Sequence, residues 1–138
     1  MVGVETKGVE EIISLPDSEY LDYLEKLARG IRTILREKDK MLEVQNLAAH
    51  ATEDAVKVSS KLGSLFEEVY QKAFSINQQL GVANQHKGAD VHPYWKYYED
   101  DVEFIDAKVE DILDIISEIK RDEKKIERLA EDIRKLAT

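Results

Sequence analysis

The sequence contains no cysteine, only two prolines among its 138 residues, and no long apolar run. The lack of cysteine excludes disulfides, thiolate zinc sites and thiol nucleophiles. A membrane-spanning helix needs about 18 or more consecutive apolar residues, so we expect no membrane span. The N-terminal residues resemble neither a signal peptide nor a transit peptide, and we therefore expect a cytoplasmic protein.

Positive charge is scarce relative to negative charge, and the formal net charge is −9. Binding to a phosphate backbone requires clustered Lys and Arg side chains that release counterions. The most basic run, residues 120–125, is interleaved with Asp122 and Glu123 and is typical of a solvated helix face. We therefore expect an acidic protein without a nucleic-acid partner.

What the sequence does have is heptad periodicity. One frame runs without a break through Leu24, Leu27, Ile31, Ile34, Lys38, Met41, Gln45, Ala48, Thr52, Ala55, Ser59, Leu62, Phe66, Val69, Ala73, Ile76 and Leu80. This spacing places an apolar stripe along one side of a helix, and the stripe needs another helix to cover it. The polar members at Lys38, Gln45, Thr52 and Ser59 are of the kind that fixes register in coiled coils, or else they face outward.

The predicted fold is all-α and forms a single domain over 1–138. It comprises an N-terminal segment 1–16, a long helix 17–80, a loop 81–92 and a second long helix 93–137. Pro16 precedes the first helix, and Gly81 is a natural terminator at its end. The two helices form a long antiparallel hairpin or coiled-coil bundle. The alternative is an up-down-up three-helix bundle with a turn near residues 50–52, where Thr52 is a candidate cap.

The first predicted helix is longer than the second, so either the N-terminal segment Val9–Leu15 or a second subunit must cover its first turns. Two overlapping apolar stripes near its middle also widen the face that must be buried. We therefore expect a dimer or a higher homo-oligomer. The predicted self-association seam comprises Ile105, Ile112, Ile119, Ile126, Ile133, Ala48, Ala55 and Leu62.

An acidic row provides the candidate metal ligands, namely Glu103, Asp106, Glu110 and Asp114. Their spacing places them on one helix face, and hard cations such as Mg²⁺ bind carboxylate oxygens. The run Glu103-Phe-Ile-Asp106 resembles one half of the carboxylate pattern of MazG-type all-α nucleotide pyrophosphatases, and the other half has no match earlier in the chain. The competing interpretation is a solvated acidic face, because the apolar residues between these positions already occupy the buried side of the helix.

An aromatic cluster follows the predicted loop, with Tyr94, Trp95, Tyr97 and Tyr98 close together. Trp and Tyr are enriched at binding hot spots, so these four residues are the candidate partner-binding site. The competing interpretation is that they close the end of the helical core.

The leading functional hypothesis is a non-catalytic, elongated, self-associating helical scaffold or adaptor that binds itself and another protein. One alternative is a structural subunit of a virus or secretion apparatus that polymerises. Another is a metal-dependent all-α phosphohydrolase that uses the acidic row. The sequence predicts no cofactor and no catalytic residues, because it contains neither a glycine-rich phosphate loop nor a nucleophile motif.

Overall fold

The computed structural model describes residues 18–85 and 92–137. These residues form four α-helices and contain no β-strand, which confirms the all-α prediction. The helices are α1 (Ser18–Ile34), α2 (Met41–Val58), α3 (Ser60–Gln85) and α4 (Trp95–Ala137). A short 3₁₀ turn (Lys38–Lys40) precedes α2. The predicted segment 1–16 and residues 86–91 of the predicted loop lie outside the described residues. None of the described helices is both long and apolar enough to cross a membrane.

The prediction of one continuous helix over 17–80 is wrong, because the chain leaves the helical path twice. Glu37 has an extended backbone (φ −92°, ψ 111°), and so does Ser59 (φ −159°, ψ 132°). The Ser59 hydroxyl accepts a hydrogen bond from the Leu62 backbone N–H at 3.3 Å and so caps the start of α3. The alternative turn near 50–52 is also wrong, because α2 continues through Thr52. There the Thr52 hydroxyl donates to the Ala48 carbonyl oxygen.

Successive helices run antiparallel. The Tyr20 hydroxyl donates to the Asp54 carbonyl oxygen at 2.7 Å, which joins the start of α1 to the end of α2. The Asn77 side-chain amide donates to the Met41 carbonyl oxygen and to the Gln45 side chain, which joins the end of α3 to the start of α2. Contacts between α3 and α4 and between α4 and α1 complete a closed ring of four helices.

The core lies along the axis of this ring and takes apolar residues from all four helices. Its fully buried large side chains are Phe66, Leu21, Leu24, Ile31, Leu35, Met41, Leu62, Ile76, Ile105, Ile112, Ile116 and Val44. The heptad frame therefore survives both turns because each of α1, α2 and α3 presents its own stripe to the same core. Two polar positions of that frame, Lys38 and Ser59, lie at the turns themselves.

Helix α3 also runs past Gly81, where the sequence predicts the start of a loop. Leu80 and Ala83 are both buried, so the apolar stripe continues on either side of the glycine. Burial of that stripe outweighs the modest helix-breaking tendency of one exposed glycine, which is about 1 kcal/mol relative to alanine. The helix ends at Gln85 instead.

The sharp reversal at Ser59 brings α2 and α3 very close together. A Cβ atom added at Gly63 would lie 2.4 Å from Val56 Cγ2 and 3.0 Å from Val56 Cα. The second of these atoms belongs to the backbone and cannot move aside without displacing the helix. Glycine is therefore required at this position by the approach of the two helices.

We expect Gly63→Ala to lower the free energy of unfolding by about 1–3 kcal/mol, because the added methyl group overpacks the α2–α3 contact. Gly81→Ala is the matched control, since no atom lies within 4 Å of the added Cβ there. That variant gains helix propensity and should be more stable by up to about 1 kcal/mol. Urea unfolding followed by circular dichroism measures both. Equal stability of the two variants would contradict the close approach.

Candidate functional site

The acidic row on α4 is paired with Arg32 of α1 and with Arg36, which lies in the turn after α1. Arg32 contacts Asp106 through Nε at 3.2 Å and Glu110 through Nη2 at 2.6 Å. Arg36 Nη2 lies 3.0 Å from Glu103. The hydrogen bond to Glu110 is the main cause of the raised pKa of the Arg32 guanidinium.

These pairs determine what the acidic row can do chemically. Three of its four carboxylates already face a guanidinium, and Asp114 is exposed on the same helix. Among residues 18–85 and 92–137, no group of three or more His, Cys, Asp or Glu side chains could hold a metal ion. The interpretation of the row as a purely solvated face missed Arg32 and Arg36, which are four residues apart at the end of α1 and in the turn after it. The row acts as an electrostatic contact between α1 and α4.

A second ion-pair cluster joins α1 to α4 at Lys120. The Lys120 ammonium donates to Asp22 and, at 3.2 Å, to Glu25. The hydrogen bond to Asp22 is the leading cause of the raised pKa of Lys120. Burial acts to raise the pKa of Glu25, yet hydrogen bonds from Lys120 and Arg29 outweigh it, and the net shift is downward.

The aromatic cluster is divided between the core and the surface. Tyr94 and Tyr98 are buried, whereas Tyr97 is 60% exposed. The Tyr94 hydroxyl donates to Asp101 at 2.9 Å, and burial raises the pKa of Tyr94. Trp95 packs edge-on to Tyr98, and the Lys38 ammonium lies 4.5 Å from the Trp95 ring centroid. The structure therefore brings three of the four predicted residues together as the closure of the core and leaves Tyr97 outside.

The predicted self-association seam is also divided. Ile105, Ile112, Ala48, Ala55 and Leu62 are fully buried by the chain's own helices, so they need no second chain to cover them. The prediction placed them at a seam between chains because it assumed one long uncovered helix in place of α1, α2 and α3. Ile119 packs against the edge of this core.

The remaining seam residues lie on a part of α4 that extends beyond the other helices. We call residues 124–137 the α4 arm. Ile126 is 48% exposed and Ile133 is 65% exposed, and two further leucines join them, Leu129 at 61% and Leu136 at 87%. Sequence reasoning missed these leucines, although the 3-4-3 spacing of 126, 129, 133 and 136 was the signal that could have found them.

Comparison with known protein families, with curated protein sequences and with solved structures finds no match to this chain.

The Lys120 cluster predicts how stability responds to acid. The pKa of Glu25 is lower in the folded chain than its ordinary value of 4.5, so its contribution is present above about pH 4.5. That contribution is lost as the pH falls through the folded-state pKa. We expect the free energy of unfolding to decline below about pH 4.5, and to decline less steeply in Glu25→Gln.

Urea unfolding at a series of acidic pH values measures this difference. Glu131→Gln is the control, because Glu131 is an exposed glutamate on the α4 arm and its removal changes the net charge equally. The Glu131→Gln curve should keep the steeper wild-type slope. If Glu25→Gln and Glu131→Gln gave the same pH dependence, the Lys120 cluster would not stabilise the α1–α4 contact.

Proposed function

We propose that this chain is a non-catalytic helical scaffold that self-associates through the α4 arm. A four-helix bundle forms the body, and the arm carries the interface. The single observation that supports this function most strongly is the row of exposed Ile126, Leu129, Ile133 and Leu136 beyond the end of the body. An apolar surface of this kind marks an interaction site.

The physical need to cover the row is substantial. Burial of apolar surface contributes about 25 cal/mol per Å², and four large aliphatic side chains left in water forgo most of that stabilisation. Their pattern is Ile, then Leu three residues later, then Ile and Leu again. Ile and Leu in alternating three- and four-residue steps form the contact stripe of paired helices. The arm is thus built to pack against another helical surface.

Charge favours a second copy of the chain as the partner. The arm carries five basic side chains (Lys124, Lys125, Arg128, Arg134, Lys135) and three acidic ones (Glu127, Glu131, Asp132). Its net charge is therefore +2 in a chain of net charge −9. The arm of one copy is attracted to the acidic body of another, which speeds encounter and orients it.

A closed dimer requires that the arm and its receiving surface match reciprocally between two copies. Such isologous contacts end at two subunits, whereas head-to-tail contacts that do not close continue into filaments. A closed dimer keeps a constant mass, whereas a polymerising structural subunit grows in mass as the concentration rises. Native mass spectrometry and sedimentation over a range of concentrations distinguish the two forms.

We expect the unaltered chain to be dimeric and the double variant Leu129→Asp/Ile133→Asp to be monomeric with unchanged helicity. Both side chains are exposed in one chain, so the two charges disrupt the interface and leave the core intact. Light scattering after size exclusion measures the mass, and circular dichroism measures the helicity.

The matched control is Leu42→Asp/Val82→Asp, which places the same two charges on α2 and α3. Leu42 is 59% exposed and Val82 is 55% exposed. This control should remain dimeric. A monomeric unaltered chain, or equal loss of the dimer in both double variants, would contradict self-association through the arm.

A further inference from the structure

One face of the body has a shallow groove along the first half of α3. It consists of two adjoining depressions of about 650 and 260 Å³ that share Glu67 and Glu68 as lining residues. The groove begins beside Ser60 and Val56 and ends beside Ser75 and the α4 residue Phe104. We call it the α3 groove.

The two ends of the α3 groove carry exposed apolar side chains, whereas Glu67, Glu68, Gln71 and Lys72 line its middle. Val56 is 57% exposed at one end, and Phe104 is 37% exposed at the other. Between them Gly63 has no side chain, and Ser60 and Ser64 have short ones. Val56 of α2 already fills the space beside Gly63, so the short side chains of Ser60 and Ser64 are what leave the depression shallow and open. Small side chains at such a position admit another helix at short distance.

The dimensions of the α3 groove match those of the α4 arm. Fifteen residue steps separate Ser60 from Ser75, which is about 22 Å of helix. The arm of residues 124–137 is about 20 Å long at the same rise per residue. Four large aliphatic side chains in the arm would lie against the exposed apolar groups of Val56 and Phe104 and the short side chains of Ser60 and Ser64.

Charge at the Ser60 half of the rim agrees with this fit, whereas the Lys72 and Lys108 ammonium groups lie over the Phe104 ring at the other end. The Glu67 carboxylate lies on the groove edge and accepts a hydrogen bond from the neutral Gln71 amide at 2.8 Å. Lys125 directly precedes Ile126 of the arm stripe, so it lies on the flank of that stripe. A basic flank on the arm and a carboxylate on the groove edge form a complementary pair.

The position of the two surfaces also permits reciprocal exchange. Lys120 holds α4 against the first turns of α1, and Tyr20 of α1 contacts Asp54 near the end of α2. The arm therefore leaves the body at the Ser59 end, where the α3 groove begins. A two-fold axis at that end would lay each arm along the other copy's groove, which gives a closed isologous contact.

We infer that the α3 groove of a second copy is the surface that receives the α4 arm; this inference rests on the proposed function. Pairing of the two arms alone would bury one four-residue stripe per copy. Placing each arm in the groove of the other copy buries both the stripe and the groove of each copy, about twice the surface that arm-to-arm pairing buries. The contact then comes closer to the roughly 1,200–2,000 Å² of a stable interface. A further depression, along α1, is lined by Tyr23 and five charged side chains, whereas the α3 groove has the exposed apolar side chains of Val56 and Phe104 at its ends.

Cross-linking of the full-length chain tests this assignment, because the absence of native cysteine makes each introduced thiol unique. Ser64→Cys lies in the α3 groove, and Leu129→Cys lies on the arm. We expect an equimolar mixture of these two single variants to form a disulfide-linked heterodimer under mild oxidation. Leu42→Cys replaces Ser64→Cys in the control mixture, since Leu42 is exposed on α2 and lies outside the groove residues.

The bulky variant Ser64→Trp provides an independent measurement. Ser64 is exposed, so the indole leaves the core unchanged while it fills the groove. We expect the dimer dissociation constant to rise at least tenfold, with unchanged helicity. Glu67→Lys should weaken the dimer as well, and the addition of Lys125→Glu to Glu67→Lys should restore part of the loss.

Each contrary result has a distinct meaning. A persistent dimer in which Leu129→Cys links only to itself shows that the arms pair with each other and overturns the groove assignment. A persistent dimer with no effect of Ser64→Trp overturns it as well. A monomeric unaltered chain instead refutes self-association, so failure of the proposed function is recognised before the groove is tested.

Discussion

The close contact between α2 and α3 determines the rest of this structure. The chain reverses direction at the single residue Ser59, and this reversal is sterically allowed only because Gly63 leaves room for Val56. Helix α2 is thereby placed to receive α1 on its other side, and α3 is placed to receive α4. The apolar stripes of all four helices then face one axis. A bulkier residue at Gly63 would move the two helices apart and open the core along its length.

Apolar burial and electrostatics have separate roles in the body. The core is built from aliphatic side chains, with Phe66 as its largest fully buried member. Ion pairs lie along the edge of α4, from Arg36 in the turn after α1 to Lys120 beside the first turns of α1. Partly exposed pairs of this kind contribute only about 0–1 kcal/mol each, so their main effect is on register. They fix which turn of α4 lies beside each turn of α1, and so determine where α4 leaves the body.

The helical class could be predicted from composition and heptad spacing, whereas the number of helices could not. A heptad pattern does not reveal a tight turn that preserves its phase. Neither turn contains the glycine or proline that usually marks one. Lys38 and Ser59 were the available signals, since both are polar residues at apolar positions of the frame. Ser59 is the clearer of the two because serine is a favoured helix cap.

The exposure of the candidate surfaces depends on tertiary contacts that local sequence does not reveal. The arm residues Ile126 and Ile133 were predicted as interface residues and are exposed. Ile105 and Ile112 have the same spacing in the same helix, yet they are buried because α1 and α3 pack against that part of α4. Exposure along one periodic stripe thus depends on where the neighbouring helices end. The α3 groove could not be predicted at all, since it arises from the meeting of three helices.

The continuity of α4 has a mechanical consequence. It is one helix of 43 residues, about 65 Å long at ~1.5 Å per residue, from the aromatic cluster at Trp95 to the end of the arm. A helix without an internal break behaves as a stiff rod, so whatever holds the arm also sets the direction of the body. Two bodies joined through their arms would be kept at a fixed separation and angle by covalent helix geometry. The number of residues in α4 would then determine the distance between the two bodies.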